Sequence, residues 1–77
     1  MLLKVSFFGP IKRPWPESTR ELELGEGTTV ASLLESLGYR PEDMRRVATV
    51  VNGKKTPMNR PLAAGDDVRF VLLAGGG

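Results

Sequence analysis

Arg20-Glu21-Leu22-Glu23-Leu24-Gly25-Glu26-Gly27-Thr28-Thr29-Val30-Ala31-Ser32-Leu33-Leu34-Glu35-Ser36-Leu37-Gly38 carries two hydrophobic periods in one run. The change between them decides the architecture. From Arg20 to Leu24 apolar and charged residues alternate, so Leu22 and Leu24 share one face and Glu21 and Glu23 the other, as in a half-buried strand. Gly25-Glu26-Gly27 ends that strand. Thr28 or Thr29 then caps a helix reaching about Leu37, because a threonine oxygen can accept from a free N–H of the first turn. Val30, Leu33, Leu34 and Leu37 follow the 0, 3, 4, 7 spacing of an amphipathic helix, with Glu35 on its polar side. Gly38 stands where helices commonly stop.

Outward from this run the signals are strands and turns. Leu2–Phe8 alternates Leu3, Val5 and Phe7 with Lys4 and Ser6. Gly9-Pro10 breaks it, and the prolines around Trp15 make Ile11–Pro16 a loop, with Trp15 laid over an edge of the core. Pro41-Glu42-Asp43-Met44 reads as a short turn or a single helical turn opened by Pro41. Val47–Val51 is a strand of branched residues, and Asn52-Gly53 after it is a strong hairpin signal. Lys54–Thr56 is the returning half, Arg60–Ala64 a connector, Gly65-Asp66-Asp67 a turn, and Val68–Leu73 the last strand. Three glycines, Gly75, Gly76 and Gly77, follow Ala74.

Composition narrows the function classes. At 77 residues the chain is one domain with a small core. It has no cysteine and no histidine, which removes disulfides, thiolate nucleophiles, zinc-thiolate sites and the commonest general base. No pairing of nucleophile and base is evident, so an independent enzyme is the least favoured class and no cofactor of its own is expected. Eleven basic and nine acidic residues give a net charge of +2, too balanced to imply nucleic acid by itself. No apolar stretch is long enough to span a bilayer and no signal-peptide core develops, so a cytoplasmic location is expected.

One long helix cannot cover both faces of a sheet, so it packs on one and leaves the other open. The expected class is α+β: a mixed sheet of four to five strands with one main helix on one face. A strand hairpin, a crossover helix and further strands match the β-grasp arrangement of ubiquitin-like proteins. A right-handed crossover makes the first and last strands central parallel neighbours. Residues 1–73 would form this domain and residues 74–77 a flexible glycine tail, since glycine has the widest backbone freedom. From Leu73 to Gly77 an extended tail reaches roughly 15 Å. Such an arm could enter an enzyme tunnel and present its carboxylate to a nucleotide.

The ordered pieces resemble the ThiS/MoaD family of ubiquitin-like sulfur carriers. They are Lys4-Val5-Ser6-Phe7-Phe8, Leu22 to Val30, Val51-Asn52-Gly53, Pro61 to Val68, and the terminal glycines. None is specific alone; their order, the length and the tail together carry the resemblance. It implies a carrier rather than a catalyst. An ATP-dependent adenylating enzyme of the ubiquitin-activating kind would adenylate the Gly77 carboxylate. A sulfur donor would then convert it to a thiocarboxylate. Gly76 is carried over as the partner of Gly77, and Gly75 is an extra glycine beyond the family minimum. The sulfur would pass to thiazole synthase in thiamine biosynthesis or to the catalytic subunit of molybdopterin synthase. The Phe7-Phe8 start and the long Gly9–Thr19 loop look more like the molybdopterin type. The compact Gly38 to Asn52-Gly53 stretch and the triple glycine look more like the thiamin type.

The open sheet face is expected to bind those partners. If Leu3, Val5 and Phe7 point to the helix, Phe8 points away. In the last strand Val68, Phe70 and Leu72 would face inward and Arg69, Val71 and Leu73 outward. Phe8, Arg69, Val71 and Leu73 are thus the expected docking residues, with Arg69 facing an acidic group of the activating enzyme. Arg40, Arg45, Arg46, Lys54, Lys55 and Arg60 make the middle segment basic. A solvated face is the favoured reading, steering toward an acidic partner the next, and nucleic acid the least, since stacking aromatics are missing apart from Tyr39. Glu17, Glu21 and Glu23 fit an exposed strand edge. Asp66-Asp67 fits a turn rather than a metal site, which needs more ligands. Two other classes stay open: a ubiquitin-like modifier conjugated through Gly77, and a non-covalent β-grasp interaction module.

Overall fold

The computed structural model describes residues 1–9 and 13–72, the Leu72 side chain excepted. Seven elements follow the predicted order: β1 (Leu2–Phe8), β2 (Thr19–Glu23), α1 (Val30–Ser36), α2 (Pro41–Met44), β3 (Val47–Val51), β4 (Lys54–Lys55) and β5 (Asp67–Leu72). The five strands form one mixed sheet in the order β2-β1-β5-β3-β4. β1 and β5 are central and parallel, and the other pairings are antiparallel. The β-grasp expectation therefore holds, with five strands.

Local chemistry sets the boundaries. Thr29 is the N-cap of α1: its hydroxyl oxygen accepts from Ser32 N–H at 3.1 Å, and Thr29 N–H donates to Ser32 Oγ at 2.8 Å. This reciprocal pair satisfies two otherwise free donors. Gly38 ends the helix at φ 94°, a left-handed conformation that a side chain would strain. Pro41 opens α2, the expected single turn. Asn52 (φ 53°) and Gly53 (φ 82°) both take positive φ, the type I′ geometry that joins β3 to β4. β4 ends one residue before its predicted end, and β5 starts one residue earlier than predicted. Asp67 joins β5, because its N–H donates to Asn52 Oδ1 and its carbonyl accepts from Asn52 N–H.

The core lies between α1 and one sheet face. Leu3, Val5, Phe7, Val68, Phe70, Val47 and Val51 come from the strands, and Val30, Leu33 and Leu34 from the helix; all are buried. Phe7 is its centre. Its ring meets Phe70 at 5.1 Å, Trp15 edge-on at 5.5 Å and Tyr39 at 5.9 Å between centroids. Trp15 is held from outside by the Arg20 guanidinium, 4.9 Å from its ring centre, so the loop tryptophan is a core lid as expected. Trp15 Nε1, Tyr39 Oη and Thr49 Oγ1 are buried without a hydrogen-bond partner among the described residues. Among the described residues no helix is long and apolar enough to cross a membrane.

Candidate functional site

The site starts from strand parity. Neighbouring strands present directly paired residues on the same face, so the pairing register determines the open face. Phe8 pairs Val71, and Val71 pairs Ala48, giving an apolar row across β1, β5 and β3. The next row is Ser6, Arg69 and Val50, flanked by Thr19 on β2 and Lys55 on β4. A third row runs Glu21, Lys4 and Asp67, alternating in charge. The apolar row lies toward the C-terminal ends of β1 and β5.

Phe8 is 42% exposed and, with Leu2, is one of two exposed large hydrophobic residues among those described. Val71, Ala48 and Val50 are half-buried. Arg69 is exposed but held: its Nη2 lies 3.2 Å from Asp67 Oδ2, and its guanidinium carbon lies 6.0 Å from the Phe8 ring centre. An exposed pair of this kind contributes about 0–1 kcal/mol to stability. Its larger effect is positional, since it lays a cation beside Phe8 before any partner arrives.

The structure thus brings Phe8, Arg69 and Val71 together as expected. Leu73, Gly75, Gly76 and Gly77 lie outside the described residues. Ala48 and Val50 were missed. The alternation of Val47–Val51 contained them, but their face is known only once β3 is paired to β5. Asp67 was missed too, having been read as turn alone. Asp66 is the structural member of that pair. It is buried, and its carboxylate accepts from Asn52 Nδ2 at 2.9 Å and Ala63 N–H at 2.8 Å. Among the described residues no three His, Cys, Asp or Glu side chains are grouped to hold a metal.

The titratable groups with shifted affinities lie off this face. Glu17 is held below the usual carboxylate range by a hydrogen bond from its own backbone N–H and then by Arg20. Tyr39 is pushed above the ordinary phenol value by burial and then by the Asp43 charge. The open face sets exposed apolar area beside fixed charge.

Comparison with known proteins agrees with this fold. No curated protein sequence matches the chain. SAMP1 from Haloferax volcanii superposes with a TM-score of 0.77 over 100% of both chains at 16% identity, a likeness of fold. A protein from Pyrococcus furiosus described as molybdopterin converting factor subunit 1 gives a TM-score of 0.73 at 25% identity, over 92% of this chain and 95% of that one. The complex of subunits 1 and 2 of the molybdopterin-converting factor from Helicobacter pylori contains a match with a TM-score of 0.65 and 26% identity, over 100% of both chains. The family model described as the ThiS family matches residues 5–77. That match takes in the sheet from Val5 onward, the helix and the terminal glycines, and the chain belongs to the ThiS family.

Proposed function

We propose that the protein is a sulfur carrier whose reactive group is the Gly77 carboxylate. The observation that carries this reading is the family match over residues 5–77, which takes in the open-faced sheet and the terminal glycines together. A carboxylate resists nucleophilic attack. An ATP-dependent activating enzyme would join it to the α-phosphate and release pyrophosphate. A sulfur donor would then displace AMP and leave a thiocarboxylate at Gly77. The carrier contributes placement, bringing a tethered carboxylate to the nucleotide. Gly75 and Gly76 give the tail a width that a narrow tunnel admits.

Phe8, Arg69, Val71 and Leu73, with Ala48 and Val50, would form the docking face for the activating enzyme and for the receiving subunit. The Helicobacter pylori relative, found in complex with a second subunit, supports a protein receiver. The two candidate receivers are the molybdopterin synthase catalytic subunit and thiazole synthase. Under this reading the chain is a substrate of enzymes and not itself a catalyst, and it works in the cytoplasm.

The test is the intact mass of chain purified from its own cells with an untagged C-terminus. Exchange of one oxygen for sulfur on Gly77, absent from Gly77→Ala, is the expected result. Chain incubated with ATP, a sulfur donor and its activating enzyme that keeps its original mass would overturn the reading. Covalent adducts of the whole chain with other proteins would instead favour the modifier.

A further inference from the structure

The far corner of the molecule carries a second surface. Beside edge strand β4 an open groove of about 360 Å³ is walled by Lys54, Lys55 and Arg60, with Val51 and Pro57 as its apolar part. Among the described residues none of these three cations has a carboxylate within ion-pair distance, whereas Arg20, Arg40 and Arg69 each do. Asp66 and Asp67, the acidic residues tied to the hairpin through Asn52, are already committed. Asp66 accepts from Asn52 and Ala63, and Asp67 pairs with Arg69. Lys54 and Lys55 alternate across edge strand β4, Lys55 beside Val50 and Lys54 beside Val51, so with Arg60 they set positive charge along both rims of the groove.

The groove is also fixed in shape. Asn52 ties the hairpin to Asp66 and Asp67 through both ends of its side-chain amide. Thr56 N–H donates to Thr49 carbonyl oxygen at 2.8 Å, and its hydroxyl donates to Lys54 carbonyl oxygen at 2.8 Å. Val30 N–H donates to Arg60 carbonyl oxygen at 3.1 Å, joining that wall to α1. β4 is a sheet edge of two residues that pairs with β3 on one side only, and the Lys54 carbonyl oxygen is already engaged by Thr56. A strand edge accepts an extended peptide. The surface lacks what single-stranded nucleic acid uses, since Trp15 and Tyr39 are buried and Phe8 lies on the open face at the other end of the sheet.

We propose that this groove binds an acidic, extended segment of a partner protein, with carboxylates against Lys54, Lys55 and Arg60. The pairing register places it at the Val51–Val68 end of the sheet, while the chain leaves β5 at the opposite, Val47–Leu72 end. A partner held here leaves the apolar row of Phe8, Val71 and Ala48 unobstructed. The proposal does not depend on thiocarboxylate chemistry.

The probe is a fluorescein-labelled decapeptide of alternating glutamate and valine, titrated with the whole chain and read by anisotropy. Alternating glutamine and valine is the uncharged comparison. Binding of the glutamate peptide is expected to be at least tenfold tighter and to weaken with added salt. Amide shifts in heteronuclear spectra should be confined to Val51–Arg60. The Lys54→Glu/Lys55→Glu pair, and separately Arg60→Gln, should weaken binding at least fivefold with unchanged spectra elsewhere. Arg45→Glu/Arg46→Glu should not weaken it. No binding, equal binding of both peptides, shifts centred on Phe8 and Val71, or displacement by a short oligouridylate but not by unlabelled glutamate peptide would each overturn the proposal. So would self-association of the free chain through Lys54 and Lys55, which would make a second copy the occupant.

Discussion

The two faces of the one sheet are made by the same strands and do opposite work. Phe7 and Phe8 are adjacent in sequence, yet Phe7 is 1% exposed and Phe8 42%. Toward α1 the sheet shows Leu3, Val5, Phe7, Val68 and Phe70, all closed from water. Away from it the same strands show Lys4, Phe8, Arg69 and Val71. One face stabilises the fold and the other remains available because a single helix cannot cover both. Whether Phe7 or Phe8 is closed from water is therefore decided by strand parity, not by hydrophobicity.

The sharpest way to break that comparison is to truncate both phenylalanines. Phe7→Ala removes the ring at the centre of the aromatic cluster and should cost about 3–5 kcal/mol, against a total of about 4–12 kcal/mol for a chain of this size. Urea unfolding followed by Trp15 fluorescence reads it. Phe8→Ala should shift stability by no more than about 0.5 kcal/mol, while binding to the activating enzyme weakens by an order of magnitude or more. Equal losses of stability would show that the open face is part of the core.

A smaller effect tests the helix that makes the faces unequal. Thr29→Ala removes one half of the reciprocal cap and should cost about 1 kcal/mol, seen as a lower urea midpoint with unchanged slope. Smallest is the response of Tyr39, the single tyrosine. Its phenol loses its proton less readily folded than unfolded, so folding is unaffected below the ordinary phenol pKa. Stability falls as pH rises above that value toward the raised one. Phenolate absorbance should appear at higher pH in native chain than in urea; coincident curves would contradict the burial of its hydroxyl.

Much of this was legible in the residues. Val30, Leu33, Leu34 and Leu37 marked the helix and its buried side, Gly38 its end and Asn52-Gly53 the hairpin, because each is a local constraint with a local cause. Alternation in Leu2–Phe8 correctly split Phe7 from Phe8. Facts that depend on register were not legible. Ser6 is buried on the open side, where its hydroxyl meets Thr19 Oγ1 at 2.9 Å, although alternation alone gives it to solvent. Ala48 and Val50 joined the open face only through pairing with β5. Arg69 was read as a free cation for a partner, but Asp67, two residues earlier on the same side of β5, holds it. Gly75, Gly76 and Gly77, the tail to which the proposed chemistry is assigned, fall outside the described residues.

The tie between Asn52, Asp66 and Asp67 bears on how the molecule ages. An asparagine followed by glycine is prone to lose ammonia when the next backbone nitrogen closes on its side-chain carbonyl, and the resulting carboxylate or isopeptide damages a turn. Here the amide nitrogen is occupied by Asp66, and the carbonyl oxygen accepts from Asp67 N–H. The two bonds restrain rotation of the side chain. The contacts that shape the hairpin therefore also act as a chemical preservative, one that is lost whenever the chain unfolds.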